Sequence, residues 1–355
     1  MEFQQFIDNN SDYVRNLRKR NINVKINKDL NLAIIKTYNN QKYENTEWIK
    51  YCRGAVIDLS TNKLICIPPM KSIVNENINE IIENYDNNNI YQPLIDGTMI
   101  NMFYFNEEWI ISTRSNIGGN NSWEGKMKFC DMFKEINGTD WFEKLDENNC
   151  YSFVVQHTKN RIVTPIEKNT IHLVESYNTS GESPIKENEL PIIDGITNIF
   201  NLDKEFLSTY NDDLYFSIKG LTIKTQNKRI KWINPEFNKV LGLKMNYNDK
   251  FSNYIELCKR KLVNSYLKYY PEDIILFNGY KKDINNIISK LHQQYINIYI
   301  HKKMNIKDAS YALIPIIREL HGEYLKTQIK NNYKVVSNYI YNLNYKRLLF
   351  IKNKL

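Results

Sequence analysis

The 355 residues are 42% hydrophobic and 25% charged, a globular balance with enough chain for two domains and a sizeable core. No apolar run approaches a membrane span, and Met1–Arg20 has acidic and polar residues where a secretory leader needs an apolar stretch. A cytoplasmic protein with no membrane association is therefore expected. The net charge of +8 is uneven: residues 251–355 hold 18 Lys+Arg against 7 Asp+Glu, whereas residues 1–250 hold 30 against 33.

In chain order, a helix is expected at the N-terminus, followed by an alternating apolar stretch from Val24 to Thr37. Short strand-like runs then recur at Ala55–Leu59, Leu64–Ile67, Met99–Phe105, Trp109–Thr113, Tyr151–Gln156, Thr170–Glu175, Gly220–Thr225 and Arg229–Ile233, many of them separated by Asn, Gly and Asp turns. Helices are expected at Trp123–Glu135 and Trp141–Leu145. This irregular alternation predicts an α+β fold with antiparallel sheets. Beyond about residue 245 the period becomes helical. Ile284, Ile287, Ile288, Leu291, Tyr295 and Ile298 form one stripe, Leu313, Ile316, Ile317, Leu320 and Tyr324 a second, and Val336, Tyr339, Ile340 and Leu343 a third. Asp283 and Asp308 are read as caps or first-turn acids, and Pro315 as a kink or a late start. The expected domains are 1–244 and an all-α, basic 245–355.

A basic segment attracts polyanions by counterion release and long-range steering. Its candidate contacts are Lys259, Arg260, Lys261, Lys268, Lys302, Lys303, Lys346 and Arg347, with tyrosines nearby to stack on unpaired bases. The alternative is a solvated lysine-rich surface. The heavy use of Asn, Ile, Lys and Tyr points to an AT-rich genome, yet the front of the chain shares that bias without the charge. The five scattered cysteines show neither zinc spacing nor a disulfide framework. Of the five histidines only His157 lies near a candidate site.

Four segments carry chemistry. They are CRGAVIDL (52–59), PLIDGTM (93–99), YSFVVQHTKNRIV (151–163) and SIKGLTIKTQNKRIKWINPEF (217–237). Their order and spacing resemble the phage RNA ligase 1 family, the tRNA-repairing ligases of the covalent nucleotidyltransferase superfamily. Arg53-Gly54 stands at the family's Arg-Gly, and Leu94-Ile95-Asp96-Gly97 at its Lys-x-Asp-Gly. Phe153-Val154 and Asn160-Arg161-Ile162-Val163 match a Phe-Glu strand and an Asn-Arg-Ile-Val signature. Lys219-Gly220-Leu221-Thr222 matches Glu-Gly-x-Val, and Lys231-Trp232-Ile233 matches Lys-x-Lys. Pro68 to Asn75 is a degraded Pro-x-x-Lys-Phe-Phe-Asn. The likeness spans roughly residues 30–240.

The resemblance implies a nucleotidyltransferase domain with an ATP-grasp-like antiparallel sheet, followed by a helical domain. It also implies a lysine that attacks the α-phosphate of ATP, passes AMP to an RNA 5′-phosphate and allows a 3′-hydroxyl to displace it. That first step needs an amine, and Leu94 has none. A metal- or ribose-binding glutamate is replaced by Val154, a strand glutamate by Lys219 and a lysine by Ile233, while Ser72 stands at a basic position with Lys71 one place earlier. Losing mutually compensating buried charges together is tolerable where losing one is not.

The remaining phosphate-binding candidates are Arg53, Asp96, Gly97, Arg114, Lys219 and Lys231. Structural alternatives are a turn dihedral for Gly97, backbone donors of the same turn for Asp96, and an Arg53–Asp96 pair. No catalytic or metal residue and no cofactor is expected. The leading expectation is an inactive ligase-like protein that binds RNA, tRNA in particular, with a protective or immunity role. One alternative is an active ligase that uses ATP and Mg²⁺ through a displaced Lys71 or Lys219, or that takes pre-adenylylated RNA. The other is a protein-interaction scaffold.

Overall fold

A computed structural model describes residues 1–38, 47–123, 127–245, 247 and 249–355. They form two compact units, Met1–Lys239 and Val240–Leu355. The first is α+β with largely antiparallel sheets and the second is helical, as the change of hydrophobic period predicts. Among the described residues, no helix is long and apolar enough to cross a membrane.

The first unit opens with two short helices, Glu2–Asp8 and Tyr13–Lys19. They bury Phe3, Ile7 and Leu17 against a sheet that runs Asn23–Asn27, Leu32–Lys36, Arg53–Asp58, Lys63–Cys66 in spatial order. The alternating stretch after Val24 is thus the first hairpin of this sheet. Gln4 fastens the helix to it: its buried side chain donates to the Asn62 carbonyl at 3.0 Å and accepts from the Leu64 amide at 2.8 Å.

The largest sheet is ordered Ile185–Lys186, Thr170–Asn178, Asn149–Gln156, Thr98–Phe105, Glu108–Thr113, Asn116–Ile117. The core on its buried face includes Phe133, Trp141, Phe142 and Phe153. A third sheet runs Ile73–Val74, Arg229–Ile233, Gly220–Lys224, Ile90–Pro93, with Trp232, Leu221 and Tyr91 packed on Ile78, Ile81 and Leu207. Two short pairings are parallel: Thr197–Asn198 against Thr170–Asn178, and Ile73–Val74 against Arg229–Ile233.

Several local expectations are corrected. The helix expected over Trp123–Glu135 is Phe129–Asn137, and residues 124–126 of that expectation lie outside the described residues. Trp141–Leu145 is a 3₁₀ turn, Asp140–Lys144. Asp283 is no cap, because its helix begins at Ile274; its carboxylate instead meets Lys352 at 3.4 Å. Asp308 ends a 3₁₀ turn ahead of the next helix. Of the two expectations for Pro315 the late start holds: the helix begins only at Ile314, with Pro315 in its first turn, where the missing amide proton costs nothing. Side-chain caps come from Asp249 and Asn332.

The helical unit is centred on the 22-residue helix Ile274–Tyr295, whose Ile284, Ile287, Ile288 and Leu291 are buried. Ile298 drops out of that stripe, since Ile296–Ile300 is a π turn and the 3.6 period breaks there. Ile316, Ile317 and Leu320, then Val336 and Ile340, then Leu348 and Ile351 supply the buried faces of the last three helices.

Candidate functional site

A cleft of about 550 Å³ in the first unit lies where the third sheet faces the largest one. Side chains on one strand alternate between faces. In Arg229–Ile233, Arg229, Lys231 and Ile233 therefore line the cleft while Trp232 is fully buried on the opposite side. Lys231 pairs in register with Thr222 on one side and Val74 on the other, and Thr222 pairs with Gln92. This whole rung faces the cleft. The opposite wall presents Met99 and Val154, themselves a register pair, together with Val174.

Leu94 lines the cleft, its amide held by the Gly220 carbonyl at 2.9 Å. It brings a hydrocarbon side chain to the place where the resemblance expects an amine. Val154 and Ile233 line the same cleft, so the three apolar replacements share one pocket with Lys71 and Ser72. Arg53 and Arg114 complete the lining, where their strands meet at Gly54. Gly54 has φ +107, and a β-carbon there would sit 2.9 Å from the Arg114 Cα. Gly97 is needed for a different reason from the turn dihedral suggested by sequence. A β-carbon on it would lie 2.4 Å from the Val155 carbonyl oxygen, so the requirement is close approach of two strands.

Asp96 is buried and does not line the cleft. Its Oδ2 accepts from the amides of Val163 and Thr164, at 2.9 and 3.1 Å. These donors are the last residue of the distant Asn-Arg-Ile-Val segment and the one after it, and not residues of its own turn. Its ion partner is Lys219, at 3.3 Å, and not Arg53. Asn160 donates to Thr98 Oγ1 at 2.8 Å, and Arg161 folds back on the Val163 carbonyl. That signature is thereby structural scaffolding for the Asp96 turn. His157 is likewise outside the cleft. It is buried, its Nδ1 accepts from the Lys159 amide at 3.1 Å, and burial holds its pKa below the usual histidine range.

Six cations line the cleft: Arg53, Lys71, Arg114, Lys219, Arg229 and Lys231. Lys219 is matched by Asp96. Arg229 is matched by Glu175, a buried carboxylate from strand Thr170–Asn178 that also meets Lys224 at 3.3 Å. Burial alone would raise the Glu175 pKa, but Arg229 and Lys224 hold it below the ordinary value. Lys224, buried and next to Arg229, is lowered to about 8. Arg114 donates to the Thr37 carbonyl at 3.4 Å. Among the described residues, Arg53 and Lys231 have neither an ion pair nor a side-chain hydrogen bond. Burial, with Arg114 and Arg229 nearby, lowers Arg53 to about 10. Burial first, then Arg53, Lys219, Arg229 and Arg114, lowers Lys231. Sequence reasoning missed Arg229, although its two-residue spacing from Lys231 placed it on the same face. It also missed Glu175 and Lys224, which no motif flags.

Among the described residues the lining contains no carboxylate, thiol or imidazole. Among the described residues no group of three or more His, Cys, Asp or Glu could hold a metal ion. Divalent cations of the Mg²⁺ type need oxygen donors, and repulsion from the cations would oppose them, so this donor set does not fit one.

In the helical unit the eight basic candidates come from several separate segments. Lys259, Arg260 and Lys261 end one helix, Lys268 sits in the next, Lys302 and Lys303 follow the π turn, and Lys346 and Arg347 open the last helix. Arg260 is engaged by Glu256 at 2.9 Å, and Arg347 forms a two-pronged pair with Glu319 at 2.7 and 2.9 Å. Lys261, Lys268, Lys302, Lys303 and Lys346 are exposed.

No protein-family model matches this chain, and no curated protein matches its sequence. Among solved structures it is similar to an archaeal ATP-dependent RNA ligase in form 2 (TM-score 0.48, 11% identity, 78% of this chain and 72% of that one). It is similar also to form 1 of an archaeal ATP-dependent RNA ligase (TM-score 0.44, 11% identity, 80% and 81%). A putative ATP-dependent DNA ligase from Aquifex aeolicus is a third such structure (TM-score 0.43, 11% identity, 90% and 81%).

Proposed function

We propose that this is an RNA ligase-like protein that binds RNA, tRNA in particular, without transferring a nucleotide through a lysine. The observation that carries this reading is the position of Leu94. It lies in the same cleft as Arg53, Lys231, Val154 and Ile233, and it supports this reading because a hydrocarbon stands where the resemblance expects the amine. Lysine adenylylation needs a nucleophile with an accessible lone pair. Lys219, one of the two displaced lysines considered, is held by Asp96 and by the Ile95 carbonyl. The basic charge of residues 251–355 supports RNA as the partner, since phosphate neutralisation supplies most of the sequence-independent affinity.

The test is the intact mass of the full chain, stripped of any bound AMP and incubated with ATP and Mg²⁺ or Mn²⁺. An unchanged mass is the expected result. A covalent AMP adduct would overturn the reading, and peptide mapping would then identify a surrogate among Lys71, Lys219 and Lys231.

A further inference from the structure

The charge inventory of the cleft is unusual for a site that has lost its chemistry. Val154, Leu94 and Ile233, where the resemblance expects one carboxylate and two amines, line it as apolar residues. Lys219 and Arg229 each have a buried carboxylate partner. Among the described residues Arg53 and Lys231 have none, although both are partly buried and the pKa of each is lowered by burial and then by basic neighbours. Unmatched like charges in one cleft destabilise the fold that holds them. An anion of high charge density relieves that repulsion, and flexible Lys71 and the Arg114 guanidinium flank the same space.

Two absences among the described lining residues narrow the ligand. No carboxylate is there to bridge a divalent metal, the neutral oxygens of Ser72, Gln92 and Thr222 bring no compensating charge, and no aromatic ring is there to stack on a base. Leu94, Met99, Val154 and Ile233 belong to the apolar part of the lining, which offers no hydrogen bond to the edge of a base.

We propose that this cleft is a metal-independent receptor for an oligophosphate, held by Arg53, Lys231, Arg114 and Lys71 and indifferent to the base that carries it. This deepens the RNA-binding reading and rests on it for the source of the anion, an RNA 5′-oligophosphate or a free nucleoside triphosphate. Divalent cations act as competitors here, because a metal-bound phosphate chain arrives with part of its charge already neutralised.

The experiment is calorimetric titration of the full chain, in a chelator and then in Mg²⁺, with tripolyphosphate, ATP, GTP and a short RNA bearing either a 5′-triphosphate or a 5′-hydroxyl. Without metal, the three small anions are expected to bind within about threefold of one another, and Mg²⁺ to weaken each by about fivefold or more. Lys231→Met and Arg53→Met each lower affinity by about tenfold, the loss of one charge-assisted contact. Both variants also melt at or above the parent temperature, because a repulsion has been removed, and this separates a lost ligand contact from a lost fold. Lys239→Met, at a surface residue paired with Glu236, leaves binding unchanged. Triphosphorylated RNA binding more tightly than tripolyphosphate identifies an RNA end as the source, and equal affinities identify the free anion. A requirement for Mg²⁺, a preference for ATP over GTP above about tenfold, or undiminished binding by both Met variants would overturn the proposal. An AMP adduct in the mass experiment would instead overturn the inactive reading, so the two failures are distinguishable.

Discussion

At the scale of single residues, the chemistry turns on which heteroatoms reach the cleft. On the proposed reading, a lysine at position 94 would not by itself support adenylylation. Leu94→Lys adds a cation to a lining that, among the described residues, holds no carboxylate, and Val154 and Lys219 offer nothing to a metal. The expected outcome is no AMP adduct by intact mass with ATP and Mg²⁺; an adduct would show that the surrounding pocket is still competent. Lys231 gives a pH signature. Its pKa is lowered by burial and by neighbouring cations, and anion binding needs its charged form. Affinity for tripolyphosphate should therefore fall as pH rises toward a value below that of an ordinary lysine, about 10.5. Stability of the unliganded protein should rise over the same window, because a base with a depressed folded-state pKa favours folding once neutral. Lys231→Arg should move the affinity loss to higher pH. An unchanged profile in that variant would show that Lys231 does not hold the anion.

At the scale of elements, the two sheets that form the cleft are joined by a buried charge cluster. Glu175 on Thr170–Asn178 accepts from Arg229 and meets Lys224, both on the facing hairpin, and Lys224 also donates to the Val174 carbonyl at 2.8 Å. Glu175→Gln leaves two buried cations with no counter-charge. Removing one partner of such a cluster typically costs about 3–5 kcal/mol. Urea unfolding of the variant should show a loss of that order, partly recovered in the double variant Glu175→Gln with Arg229→Met. Equal midpoints for parent and Glu175→Gln would mean that the cluster does not join the sheets. Glu175 has a depressed pKa, so its contribution is present above the ordinary carboxylate range and is lost as pH falls through its folded-state value.

For the molecule as a whole, the helical unit carries most of the excess positive charge and the first unit carries a local cationic cleft within a nearly neutral surface. RNA affinity is expected to fall linearly on a logarithmic salt scale. Engagement of about six phosphates corresponds to a loss of about a thousandfold between about 50 and about 200 mM salt. Binding that ignores salt would exclude the electrostatic mechanism. Lys302→Ala with Lys303→Ala should flatten the slope, whereas Arg347→Ala should also cost stability, because Arg347 is already committed to Glu319.

The sequence by itself determined the strands and helices wherever a clean period ran through them, and it placed Arg53, Leu94, Val154, Lys219 and Lys231 in one site through ordered motifs. The two-residue alternation of Arg229, Lys231 and Ile233 was legible as a shared face. Helix starts were less legible, because Asp283 and Asp308 look like caps in one dimension and are not. Only the tertiary structure decided which charges are neutralised. Asp96 meets Lys219 across 123 positions and Glu175 meets Arg229 across 54, while among the described residues Arg53 and Lys231 meet no carboxylate. Coulombic pairing depends on distance through space and on burial. Strands distant in sequence set both when they come to face each other, and spacing along the chain carries no record of it.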